Sequence, residues 1–402
     1  MKKQRSFHTA LLSMTVTASL FFSCQRSLYE PPFTEIIPVA PTLREGNQDT
    51  PPLLFTDYFK LEGYCALKGV EDRIAFDIRK LIRHGNTLVA YANRGDFQDV
   101  CLFDAVSGQF IRQIGRNSEQ GDGYKCLRDI DIRNGEIVLL NSGDMEFMHY
   151  DFDGRLLRTL KNGVFGDNLH LAADGSYWVY NEHNESEVSE YFYLLRFDRK
   201  GNLTDRILPY SKDARLIILD YTGEMSKSGE QIWVNLPFSD TLFELNTNTR
   251  QLVPAYVLNP PDAMSIADKK RAKKGAIPDN LRYIDYHFAP MADGLLYAWV
   301  DGTDIHPMYF DKRNGINISL PAGKEMGGVN ELVARVFNIH PIDNERVMLR
   351  VPHGALQTIM KAEGWEQGFA DYPGLADEIR YGAANRMPLV LTFSAKKGKT
   401  IK

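Results

Sequence analysis

The sequence has little cysteine, no long apolar run and no excess of positive charge, and each shortage excludes a class of protein. Four cysteines in 402 residues are too few and too scattered for a disulfide-built scaffold. The apolar stretch at residues 11–22 is 12 residues long, against the roughly 20 that a membrane-crossing helix needs. Basic residues number 47 against 52 acidic ones, a net charge of −5, so the basic footprint of nucleic-acid binding is absent. Also missing are a Gly-x-Ser-x-Gly nucleophile turn, a His-Glu-x-x-His zinc helix, a phosphate loop and a Cys-x-x-Cys pair. The remainder, 44% hydrophobic and 25% charged, is an ordinary globular composition, ample for a large core.

The short apolar run has another use. Lys2, Lys3 and Arg5 precede it, and it ends in Leu20-Phe21-Phe22-Ser23-Cys24. That is the layout of a secretory signal, closed by a segment that resembles a bacterial lipobox. The expectation is a signal peptide over residues 1–23 with Cys24 as the lipidated first residue of the mature chain; cleavage elsewhere and simple secretion is the competing reading. Loss of residues 1–23 removes three basic and no acidic groups, leaving a net charge of −8. Cys65, Cys101 and Cys126 then remain, either as buried thiols or with two of them bridged. Residues 24–50 carry Pro31, Pro32, Pro38 and Pro41 and read as a flexible tether.

From residue 51 the chain becomes repetitive. Phe103-Asp104-(x)3-Gly108, Tyr150-Asp151-(x)2-Gly154, Phe197-Asp198-(x)2-Gly201, Leu245-Asn246 and Phe310-Asp311-(x)3-Gly315 are variants of one phrase. Positions 104, 151, 198 and 246 are spaced by 47, 47 and 48 residues, and the step to 311 is 65. A period of this size marks one supersecondary unit repeated. Within it a strand, a turn such as Asn134-Gly135, two further strands, a second turn such as Asp153-Gly154 and a last strand can be read; Asn-Gly and Asp-Gly suit two-residue hairpins. Matching first turns stand at His84-Gly85-Asn86, Asp174-Gly175, Ser228-Gly229, Asp293-Gly294 and Asp343-Asn344. Six units of four strands predict an all-β fold over 51–402, a six-bladed β-propeller of four-stranded antiparallel blades. The sixth unit lacks the phrase, and its outer strands are expected from Leu389–Phe393 and Leu53–Leu61, closing the ring with both chain ends. Two insertions interrupt the period: a basic helical loop at about 259–282, and a small helical insertion at about 353–386 that packs on one face.

Several segments match a known family. Phe103-Asp104-(x)3-Gly108-Gln109-Phe110, then Ile114-Gly115-Arg116 and Gly121-Asp122-Gly123-Tyr124, resemble a hallmark of the six-bladed β-propeller lipoproteins of Gram-negative bacteria. Ser239-Asp240-Thr241-Leu242-Phe243, Val253-Pro254-Ala255-Tyr256 and Met387-Pro388-Leu389-Val390-Leu391 resemble further segments of it. The likeness spans roughly residues 53–397. It implies an architecture related to TolB-like and NHL-like propellers, and it implies no common reaction.

Candidate site residues follow from the predicted ring. His170, His287 and His340 each fall in the innermost strand of a different blade, so three imidazoles could converge on the channel as metal ligands with an open position. Their offsets from the following turns differ, which favours separate roles. Arg116, Glu119, Asp122 and Tyr124 gather in the long turn between the first two blades, a place for a small ligand. Asp151-Phe152-Asp153-Gly154 starts like a calcium loop but lacks its later carboxylates, and reads as a turn. The leading expectation is a lipid-anchored envelope protein, monomeric and without a cofactor, at the outer membrane. It would present one face to a protein, glycan or peptide partner and bind no nucleic acid. The alternative is a metal-dependent hydrolase or lyase using the channel histidines.

Overall fold

A computed structural model describes residues 36–37, 54–70, 78–94, 97–118, 123–181, 192–209, 224–236, 241–258, 282–284, 287–301, 304–319, 328–335 and 338–396. The signal peptide, Cys24 and the basic run of 269–274 lie outside the described residues. Twenty-four of the strands form the six blades, each an antiparallel sheet read from axis to rim. The fold is the expected six-bladed propeller. The innermost strands are Ile78–His84, Leu127–Arg133, Asn168–Leu171, Glu224–Ser228, Ala289–Met291 and Ile339–Pro341, for blades 1 to 6 in order. Each turns into its second strand at the predicted place; at Asn134 and Gly135 both φ angles are positive (52° and 75°), as the tight hairpin requires.

The repeated phrase has two structural jobs. Its apolar residue is buried between blades, with Phe103, Phe197 and Tyr150 no more than 1% exposed. The acid or amide after it caps the turn to the outer strand. Asp104 Oδ1 accepts from the backbone N–H groups of Val106 and Ser107 (3.1 and 2.7 Å), and Asp198 Oδ1 from those of Lys200 and Asn202 (2.8 and 2.9 Å). Asn246 does the same for Asn248 and Thr249. These are Asx turns, which tie a side-chain oxygen to the next backbone donors. Asp151 joins them by accepting from the N–H groups of Asp153 and Arg155, so the segment with the look of a calcium loop is a turn. Gly108 is required for a further reason: with φ at 71°, a Cβ there would lie 1.9 Å from the Ala66 carbonyl oxygen of the closing blade.

Closure uses both ends of the chain. In blade 6, Leu389–Ala395 is the third strand and Phe59–Ala66 the outermost, so a C-terminal strand sits between two others and an N-terminal strand covers it. Residues 55–58, expected as strand, form one helical turn before Phe59. The C-terminal insertion consists of helices His353–Ile359 and Leu375–Asn385 with a 3-10 turn, Trp365–Phe369, between them. Leu356, Ile359, Phe369, Leu375 and Ile379 are buried against the blade-5 and blade-6 core, so this insertion packs on the ring. Glu378 fastens it by accepting from the Ala66 backbone N–H (2.8 Å) and from Lys68 Nζ (2.7 Å).

Two features differ from the sequence reading. A helix, Gly328–Arg335, stands in the connection before blade 6. Within the expected tether, Ile36–Ile37 pairs in parallel with Val257 and Leu258 on the outer edge of blade 4. At least that part of the tether is docked, because an outer blade edge presents unpaired backbone groups that a passing chain can satisfy.

Candidate functional site

The innermost strands enclose a cavity of about 200 Å³ on the axis, lined from all six blades. Its walls carry Arg83 and His84 of blade 1, Asp131 of blade 2, His170 of blade 3, Lys227 of blade 4 and His340 of blade 6, with His287 leading into blade 5. The side chains fall into two networks, one of paired carboxylates and lysines across blades 1 to 4 and one of amide and imidazole across blades 5, 6 and 1.

The charged network is built on Asp129 and Asp131, both 4% exposed. Two residues apart, they share one face of the blade-2 strand. Each accepts a backbone N–H from blade 3: Leu169 to Asp129 Oδ2 and Leu171 to Asp131 Oδ2, both at 2.7 Å. Each also meets a lysine from another blade. Lys80 Nζ lies 2.8 Å from Asp129 Oδ2, and Lys227 Nζ lies 3.3 Å from Asp131 Oδ2 while donating to the Leu171 carbonyl at 3.1 Å. Buried charges persist only when paired and hydrogen-bonded in this way.

The second network is a chain of amide and imidazole centred on Asn338, whose Oδ1 also accepts from Arg350 Nε at 3.3 Å. Asn338 Nδ2 donates to His287 Nε2 (3.0 Å), and Asn338 Oδ1 accepts from His340 Nε2 (2.6 Å). His340 Nδ1 then accepts the Leu81 backbone N–H of blade 1 at 3.4 Å. His340 therefore carries its proton on Nε2 and is neutral. His170 stands apart, its Nε2 donating to the Met225 carbonyl (3.1 Å) and its Nδ1 facing Asp131 Oδ2 at 3.6 Å. The three predicted histidines thus line one cavity, where His287 and His340 are brought together by Asn338 and His170 is turned to blade 4. Among the described residues, no three His, Cys, Asp or Glu side chains are grouped to hold a metal ion.

The histidines predict a pH dependence. Burial, together with His287, Arg350 and Lys80, holds His340 well below the ordinary imidazole value, and burial with Lys80 lowers His170. The unfolded chain takes up these protons below about pH 6.5 while the native chain does not. Stability is therefore full above that pH and falls as pH drops, by up to about 1.4 kcal/mol per pH unit for each histidine. Urea midpoints measured between pH 7 and pH 5 should show this decline, and His340→Gln should make it shallower by removing the share of His340 while that of His170 remains.

The other predicted group is divided. Tyr124 is fully buried between blades 1 and 2 and donates its hydroxyl to the Gln98 carbonyl at 2.7 Å, so its side chain packs the core instead of facing a ligand. Arg116 is exposed, and Glu119 and Asp122 lie outside the described residues. Cys65 and Cys101 are buried and Cys126 is partly exposed, all three as free thiols, with burial foremost in pushing the Cys65 thiol up to about 12. Sequence reasoning missed Asp129, Asp131, Lys80, Lys227 and Asn338. A signal existed for the acids: alternate carboxylates inside the apolar run Leu127–Arg133 can only be accommodated with partners.

Solved structures of this shape exist. A Bacteroides fragilis protein described as exported superimposes with a TM-score of 0.68 at 15% identity, covering 90% of this chain and all of that one. A member of the DUF4221 family from Bacteroides vulgatus gives 0.50 at 8% identity, covering 85% of this chain and all of that one. Likeness at such identities speaks for the fold alone. No curated protein matches the sequence. Residues 37–361, which run from the strand docked on blade 4 to the first helix of the C-terminal insertion, match a family of propeller chains throughout: the protein belongs to the family described as a domain of unknown function, DUF4934.

Proposed function

We propose that this protein is an exported binding module, anchored in the outer membrane by lipid on Cys24, that seats one small group of a glycan or peptide partner in the mouth of its central channel. The observation that carries this reading is the axial cavity. Its roughly 200 Å³ falls below the roughly 300–1,000 Å³ of pockets for drug-sized ligands, so it suits a single sugar ring or side chain. Lys227 and Asp131 supply hydrogen-bonding groups beside the apolar Met225 and Phe288, a mixture that suits recognition. The closed ring holds these groups on a stiff frame, where positioned loops and walls favour binding. The signal-like residues 1–23 and the likeness to a protein described as exported support the address.

Two measurements test it. Ser226 lines the cavity, where its hydroxyl donates to the Phe288 carbonyl at 3.3 Å, and Ser226→Phe is expected to block it while leaving every ionised side chain in place. Against a panel of glycans and short peptides, wild-type protein should show hits that this variant loses while keeping its circular dichroism. Hits bound equally by both would defeat the channel reading. Cys24→Ser should abolish incorporation of a labelled palmitate and release the protein from the membrane fraction; unchanged labelling would defeat the anchor.

A further inference from the structure

A second cavity, also about 200 Å³, opens beside the first turns of blades 2 and 3. Three arginines line it: Arg133 at the end of the blade-2 inner strand, Arg158 on the blade-2 outer strand and Arg199 in a blade-3 turn. Among the described residues, the lining holds one carboxylate, Glu136. We propose that this cleft binds an oxyanion group, carboxylate, sulfate or phosphate, carried by a small ligand.

Two of the guanidiniums are held by backbone carbonyls. Arg133 donates to the carbonyls of Leu171 (3.3 Å) and Ala173 (2.6 Å), and Arg199 Nε donates to the Asp174 carbonyl (2.6 Å). Carbonyl acceptors fix a guanidinium in place without cancelling its charge. Among the described residues, the one carboxylate that meets Arg133 is that of exposed Glu230, at 3.5 Å. Arg133 Nε is buried without an acceptor, and the terminal nitrogens of Arg199 have no partner among the described residues. Donors in a rigid fork that remain unspent are what a planar or tetrahedral oxyanion pairs with.

The surroundings are shaped to keep it so. Arg199 lies across Gly175, whose φ is 81°; a Cβ there would come within 2.8 Å of Arg199 Nε and displace the arginine from this position. The third arginine is held in reserve. Arg158 makes a two-point pair with Glu136 (2.8 and 2.7 Å), and Glu136 in turn accepts from His149 Nδ1 at 2.8 Å. The His149 ring is completed by the Tyr177 hydroxyl at Nε2 (3.0 Å), so the back wall is rigid and buried. Glu136 thus stands where an incoming anion would compete for Arg158.

Calorimetric titration tests this with sodium acetate, sodium sulfate and sodium phosphate, each at an ionic strength held constant with sodium chloride. Wild-type protein should bind at least one of them saturably at one site per chain. Acetate as the tightest binder would indicate a carboxylate ligand, sulfate or phosphate an ester of that kind. Arg199→Gln, in an exposed turn, should weaken binding at least tenfold, and Glu136→Gln should tighten it several-fold by releasing Arg158. Ser226→Phe, in the axial cavity, should leave it unchanged, so that failure of the channel reading and failure of this one are separable. The proposal is overturned if no anion binds beyond the chloride background, or if Arg199→Gln stays within twofold of wild type.

Discussion

Phe393→Ala should cost about 3–5 kcal/mol, the range for removing a fully buried phenylalanine side chain. Phe393 is 0% exposed in the third strand of blade 6, opposite Val347 on one side and Leu61 on the other. Its ring meets Phe55 edge-on at 5.0 Å, Phe55 stacks on Phe59 at 4.4 Å, and Phe59 meets Tyr309 of blade 5 at 5.2 Å. One side chain therefore joins the C-terminal strand, the N-terminal segment and the neighbouring blade. Its loss leaves a cavity at the seam where the ring closes, and that cavity cannot collapse without parting the strands. Urea unfolding followed by tryptophan fluorescence measures it, with Leu157→Ala, at a position 42% exposed, expected within about 0.5 kcal/mol of wild type as the control. A cost under about 1 kcal/mol for Phe393→Ala would mean that closure does not depend on this seam.

Asp131→Ala should cost a similar amount, about 3–5 kcal/mol, for an electrostatic reason. The carboxylate is nearly inaccessible, accepts the Leu171 N–H and faces Lys227, whose side chain is 17% exposed. Removing it leaves the Leu171 N–H without its acceptor and Lys227, still donating to the Leu171 carbonyl, without its counter-charge. Asp131→Asn, which keeps an acceptor for Leu171 but no charge for Lys227, should fall between, and adding Lys227→Met to the alanine variant should restore part of the loss. A pH signature separates this from packing. Burial alone would raise the Asp131 carboxyl, but Lys227, the His170 ring and Lys80 together hold it below the usual carboxylate range. The native chain stays unprotonated there while the unfolded chain takes up a proton near pH 4. The contribution is thus present above that pH and lost as pH falls below it. Wild type should lose stability between about pH 4 and pH 2 more steeply than Asp131→Ala; equal slopes would show that the carboxylate is not held by charge.

Much of this molecule was legible because its local rules repeat. The turn after each phrase follows from the Asx chemistry of Asp104, Asp151, Asp198 and Asn246, contained within a few residues, and Gly85, Gly135, Gly175 and Gly229 in four of the first hairpins follow from a positive φ that few other residues adopt. Closure by Leu389–Ala395 and the N-terminal segment could be inferred because the sixth unit lacked its own outer strands. The helix Gly328–Arg335 was missed because eight residues, little more than two turns, are too few to show a helical period. The docked strand Ile36–Ile37 was missed because its pairing partner lies more than 200 residues away.

The sites divide along the same line. That His170, His287 and His340 reach the channel could be read from their places before the first turns, since inner strands face the axis. What each ring nitrogen does could not, because Asn338, Met225 and Leu81 reach them from other strands. Arg133, Arg158 and Arg199 are far apart in the chain and share no motif, and only the approach of blade 2 to blade 3 gathers them. The sequence by itself determined the repeat, the number of blades, the turn chemistry and the way the ring closes, because these depend on backbone conformation and on apolar periodicity within one unit. The tertiary structure alone decided which polar groups meet across blades, because partnership between side chains depends on the distance between sheets, which no local pattern records.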